Sequence, residues 1–292
     1  MTPRIDSEET GKRRTLRAET QAQKLMVFLL SASLFGLANI LTEVLPSFQL
    51  GPVEVEISYL LFVPLTIVAL FNPLWAGIGA PVGEVVFKDL LMGDFGGLGE
   101  LEGIIQMSLA LVVAGLIIRN PLDRRQITIA GLAAVIIDKG LSAIVDIAKV
   151  WAGVEEFESV EGLPETILAV EGVTFIMEIV MSGILFGVIP ALWLIPRLHG
   201  KIEPLMGLSP RTPDTAIAQW ATATFVVGAI GLAAISLGAE FLAESGFSPG
   251  TFEPDFRDQY GDAFLWVGAA VAVAVLAFVF VYASRRRSRS TP

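Results

Sequence analysis

The sequence predicts an all-α polytopic membrane protein, and three observations lead there. Hydrophobic residues make up 53% of the 292 residues, and mean hydropathy is +0.67. Apolar segments recur along the chain, several of them near the ~20 residues that cross a bilayer. The loops between them alternate between basic and acidic, the pattern that membrane topology imposes.

A polar tail, residues 1–24, precedes the first apolar segment, Leu25–Leu45. The tail lacks the short apolar core and small-residue site of a cleaved signal peptide. The second and third segments, Ser58–Phe71 and Leu74–Leu91, are separated by Asn72-Pro73. The fourth is Gly103–Ile118, the fifth Gln126–Val150 and the sixth Gly172–Ile195. A loop over residues 197–215 leads to a two-helix extension, 216–283, with segments Ala216–Leu242 and Ala263–Tyr282. Residues 284–292 form a basic tail.

Loop charge orients these segments. Lys24, Arg119, Arg124, Arg125, Arg197, Lys201, Arg211 and Arg285 fall on one side if eight segments span. Positive loops face the cytoplasm, which places both termini there. Acidic loops, including Asp94, Glu100 and Glu253, take the other side.

Composition excludes several chemistries. The chain has no cysteine and one histidine, His199. Disulfides, thiol catalysis and a Cys- or His-based metal site are therefore not expected. No nucleophile–base–acid set is visible, so no enzyme is expected, and no cofactor. The net charge of −10 and the scarcity of lysine suit a high-salt cell interior, as in a halophile. Basic clusters flank apolar segments, where topology explains them, so nucleic acid is not an expected partner. The loop GDFGGLGE lacks the Lys-Ser/Thr of a phosphate-binding loop.

The organising stretch is Ile57–Glu102, which carries Glu84, Lys88 and Asp89 inside apolar sequence. Intramembrane charges face a cavity or one another. On the fifth segment Asp138, Lys139, Ser142, Asp146 and Lys149 fall within an arc of about 100° at helical spacing. Glu171, Thr174, Glu178 and Ser182 share a side of the sixth. With the orientation above, these groups meet in the outer half of the membrane. The predicted lining is Tyr59, Glu84, Lys88, Asp89, Gln106, Asp138, Lys139, Ser142, Asp146 and Glu178. Glu43 and Glu171 are expected at the outer interface. The aromatics Phe95, Trp151 and Phe157 suit either ligand stacking or an interfacial belt. Trp193, Trp220 and Trp266 suit belt or packing. Segments seven and eight are read as free of internal charge and outside the pocket. A purely structural charge network and an ion relay are the alternatives.

The stretch PLTIVALFNPLWAGIGAPVGEVVFKDLL resembles the second and third helices of the S components of energy-coupling factor (ECF) transporters. Pro64, Pro73, Gly79, Gly83, Asp89, Leu90 and Leu91 carry the likeness; Glu84 and Lys88 stand where many members have apolar residues. The resemblance implies a six-helix S-component-like core, residues 25–196, plus two C-terminal transmembrane helices. It implies capture of a vitamin-like small molecule and partnership with an ECF-type transmembrane coupling protein and ATPase subunits. Ala32-x-x-x-Gly36 resembles the small-residue motif that docks such a partner; packing against a neighbouring helix of the same chain is the alternative. The family's metal-specific members use an N-terminal histidine, which this chain lacks, so an organic micronutrient is the expected ligand class.

Overall fold

The computed structural model describes residues 19–42, 48–50, 53–55, 57–154, 164–213, 223–254, 256–261 and 264–289. Most of the polar tail, Glu43, Phe157 and Trp220 lie outside them. The described chain is mainly helical, and six of its helices are long and apolar enough to cross a membrane. The protein is a multi-pass membrane protein on that ground.

Helix α1, Gln21–Thr42, opens on a reciprocal cap. The Gln23 N–H donates to Thr20 Oγ1 at 3.3 Å, and the Thr20 N–H donates to Gln23 Oε1 at 2.9 Å. The two side chains satisfy donors that a helix start otherwise leaves unpaired. Beyond α1, strands β1 (Phe48–Leu50) and β2 (Val53–Val55) pair antiparallel with Gln49 opposite Glu54.

Helix α2, Phe62–Leu70, starts four residues later than the apolar pattern suggests. Residues 57–60 are not helical; Ser58 and Tyr59 turn their hydroxyls to partners on distant helices instead. At 1.5 Å per residue, α2 is only about 14 Å long, half a bilayer core. It stops before Asn72-Pro73, since a residue preceding proline is pushed away from helical geometry. Asn72 then caps α3, Pro73–Glu84, by accepting from the Leu74 N–H at 3.1 Å, with proline at the first helical position.

After Glu84 the helix widens into π geometry over Val85–Leu90. Helix α4 is Glu100–Ile117 and α5 is Arg124–Ala152. Asp123 caps α5 by accepting from the Arg125 N–H at 2.9 Å, and Gly153 ends it at φ 70°. Helix α6, Ile167–Glu178, passes through a second π segment, Ile179–Val188, into α7, Ile189–Leu198. Helix α8 is Ala223–Glu244, α9 Phe256–Tyr260 and α10 Leu265–Arg289.

The tightest packing joins α1 to α3. Gly79 lies against the Phe28 backbone and Gly83 against the Ala32 backbone, with no space for a Cβ on either glycine. Gly36 answers from α1: a Cβ there would meet the Gly83 carbonyl oxygen at 2.5 Å and the Phe87 ring. Small residues bring two helix backbones together where lipid offers no hydrophobic drive for association.

This corrects the docking reading of Ala32 and Gly36. The pair is used inside the chain. Helix α10 lies along α1 as well, with Ala32, Ile40, Phe87, Leu265, Ala269 and Ala272 in one apolar cluster. The two-helix extension thus packs on the core directly.

The loops gather at two ends. At the basic end, the Gln23 side chain donates to the Gly207 carbonyl at 2.8 Å, and Arg211 reaches into the bundle. Arg211 Nη1 donates to the carbonyls of Val68 and Ala69 at 2.7 and 3.0 Å. Its Nη2 donates to those of Gly115 and Ile118 at 3.0 and 2.6 Å. These are the carbonyls that the C-termini of α2 and α4 leave unpaired. Burial lowers the Arg211 guanidinium to about 10, opposed by the charge of Glu19; the group is charged at neutral pH. Topology alone was the role that the sequence suggested for it.

Candidate functional site

The π segments begin directly after the two carboxylates Glu84 and Glu178. A π turn inserts an extra residue into the helix and re-aims the side chains beyond it, and such turns often sit at functional sites. Here they set Lys88 and Asp89 after Glu84, and Ser182 after Glu178, at positions that an unbroken α-helix would rotate elsewhere.

Tyr59 stands at the centre of the first polar group. Its hydroxyl donates to Asp138 Oδ2 at 2.9 Å. The Lys139 ammonium lies 5.2 Å from the centre of its ring, in cation–π range. The Phe35 ring of α1 meets the same tyrosine edge-on, 6.2 Å between centres. Glu178 accepts from Ser58 at one oxygen and from Ser182 at the other, the latter at 2.7 Å. Glu84 feels the charges of Lys88, Asp138 and Lys139. Five of the predicted lining residues (Tyr59, Glu84, Asp138, Lys139 and Glu178) therefore share one electrostatic neighbourhood, with Lys88 beside Glu84.

A second group lies nearer the acidic end. The Lys149 ammonium pairs with Asp146 at 3.1 Å and with Glu240 of α8 at 3.3 Å. Ser142 donates to Asp146 at 3.3 Å. Gln106, predicted as lining, donates its amide to Glu102 one turn away on α4. Glu102 in turn feels Glu240, Asp146 and Lys149. Asp89, buried, feels the charges of Glu100 and Lys88, and that of Glu84 from the Tyr59 group. The predicted single lining is two groups, joined along α5 and through Glu171, which feels Asp146, Lys139 and Lys149.

Glu240 corrects the reading of segment seven as uncharged. It lies inside that segment, two residues before its predicted end. Its side chain is only 12% exposed and is bonded to the cluster. The residue type alone was the available signal, and its place near a segment end concealed it. Trp151, Trp193 and Trp266 are all exposed on the helix surfaces, as belt residues would be.

Asn39 was missed altogether. It is 1% exposed, yet neither its amide nitrogen nor its oxygen has a hydrogen-bond partner among the described residues. It stands one turn beyond Phe35 on the same face of α1, the face that meets Tyr59. An unpaired buried polar group costs ~1–3 kcal/mol, so such groups are rare without a function or a guest. Ser108 Oγ on α4 is buried and unpaired likewise. Among the described residues no cluster of His, Cys, Asp and Glu has the arrangement of a metal site.

No curated protein and no solved structure matches the chain. One family model does, over residues 26–292. The match takes in every helix described above apart from the first turn of α1, and on it the chain belongs to a family of unknown function (DUF8171).

Proposed function

We propose that this protein is a membrane subunit that captures a vitamin-like organic small molecule from the acidic side of the bundle. The acidic end faces outward and both termini are cytoplasmic, with eight spans in all; the loop charges support that orientation. Uptake is completed by a separate transmembrane coupling protein and ATPase subunits. The likeness of Pro64 to Leu91 to the S components of ECF transporters supports that partnership. The coupling surface is not at Gly36, which α3 occupies.

One observation carries the reading: the unpaired amide of Asn39, one helical turn beyond the Phe35 that packs on Tyr59 of the Tyr59–Asp138–Lys139 group. The side-chain nitrogen of asparagine is a donor and cannot ligate a cation. A ligand that satisfies it needs an acceptor of its own, as a polar organic molecule has. The aromatic ring of Tyr59 and the charges of both signs around it suit such a molecule.

A second reading has its own support. Glu84, Asp89, Glu102, Asp138, Asp146, Glu178 and Glu240 outnumber Lys88, Lys139 and Lys149 in the two groups. An excess of buried carboxylates suits an ion-coupled secondary transporter that relays protons or sodium.

Thermal stability of the purified full chain separates the two. A panel of water-soluble vitamins and a sodium series serve as probes. A captured molecule at about 100 times its Kd stabilises by ~2.7 kcal/mol. Stabilisation by one organic compound, lost in Asn39→Ala, is the expected result. Stabilisation by sodium alone, with no response to any organic compound, overturns the capture reading.

A further inference from the structure

The C-terminal hairpin carries features that a lipid-facing extension does not need. Its connecting segment lies across the loop between α3 and α4. Phe95 and Phe252 exchange both backbone hydrogen bonds, at 3.0 and 2.9 Å. Ser248 donates to the Gly96 carbonyl at 2.6 Å and accepts from the Leu98 N–H at 3.0 Å. Gly93 and Gly97, both at positive φ, sit directly against Pro254 and Pro249. An aromatic row, Phe252, Phe256 and Phe264, with Tyr260 against the last two, runs along the same segment. At the end of α8, Glu240 reaches Lys149 of α5.

We propose that this segment and the end of α8 form a lid over the acidic end of the bundle, latched by the Lys149–Glu240 ion pair. The lid touches the loop through backbone bonds, Ser248 and the side chains of Pro254 and Phe256 against Gly93, and it touches the cluster through the Glu240–Lys149 ion pair. No residue from Ser245 to Pro254 is buried, so these contacts break and reform without repacking a core, unlike the α1–α3 glycine seam. The latch lies within the second polar group, so opening changes the charges around Asp146 and Glu102 together. A cationic or amine-bearing ligand that takes the place of Lys149 beside these carboxylates would release Glu240 and the lid with it. Glu240 is thus a positioning residue of the site.

The inference takes from the proposed function only that the acidic end faces outward. The native chain has no cysteine, so a single Ser142→Cys reports access cleanly. The full chain is reconstituted in liposomes and exposed to trimethylammonium-ethyl methanethiosulfonate, which does not cross lipid. The expected result is slow labelling in the Ser142→Cys parent and a rate roughly tenfold higher with Glu240→Gln or with Ser248→Ala, as a shifted opening equilibrium requires. Glu253→Gln, at an exposed carboxylate, leaves the rate unchanged. Equal rates in parent, Glu240→Gln and Ser248→Ala overturn the lid. Loss of the folded elution peak in both variants overturns it too, since the hairpin is then a fixed wall. Labelling only from the lumen of right-side-out vesicles, still sped by both variants, keeps the lid and refutes the outward orientation.

Discussion

Gly83→Ala separates a close backbone seam from ordinary helix packing. A Cβ on Gly83 would fall on the backbone atoms of Ala32, which belong to a helix and cannot rotate aside. Overpacking a tight contact costs ~1–3 kcal/mol, and the upper end applies where the obstacle is backbone. Helix propensity acts the other way, with alanine favoured over glycine by ~1 kcal/mol. The net is a loss of about 2 kcal/mol, roughly a 30-fold fall in the folded-to-unfolded ratio. Gly103 and Gly172 supply the contrast: both are helical, and nothing lies within 4 Å of a Cβ at either. Their alanine variants gain up to ~1 kcal/mol from propensity alone. The assay is unfolding of the purified protein in one detergent, followed by heat and by denaturant. Gly83→Ala and the two controls change stability with opposite signs. A Gly83→Ala protein as stable as the parent would refute the seam.

Two further outcomes test other contacts by the same assay. Arg211→Met removes a charged donor from four helix-terminal carbonyls 2.6–3.0 Å away; at ~1.5–3 kcal/mol for each charged bond, losing two alone costs about 3 kcal/mol or more. Arg211→Lys restores only part, having three donors without the planar fork, and a Met variant as stable as the parent would show that the clamp carries no weight. Tyr59→Phe leaves Asp138 without its hydroxyl donor and loses ~1–3 kcal/mol; an unchanged unfolding midpoint would remove Tyr59 from the centre of the group.

The helical class, the apolar segments and the polar face of α5 were readable from residue order, because they depend on local quantities. Apolar length decides what can cross a membrane, and a 100° turn per residue decides what shares a face. The break at Asn72-Pro73 is local too, since proline constrains the residue before it. Loop charge also showed which groups lie near which end.

Partnership was not readable in that way. Ala32 and Gly36 mark a close contact, but the spacing is the same whether the second backbone comes from this chain or another; only the fold put Gly83 opposite them. Glu240 and Lys149 are far apart in sequence, and the ion pair exists because α8 returns beside α4 and α5. Arg211 reads as one more basic loop residue until the fold puts five carbonyls from two helix ends around it. Asn39 is the sharpest case. Nothing in its neighbours along the chain distinguishes a satisfied amide from an unpaired one. That distinction depends on which atoms distant helices bring within about 3 Å, the reach of a hydrogen bond, and so on tertiary packing alone.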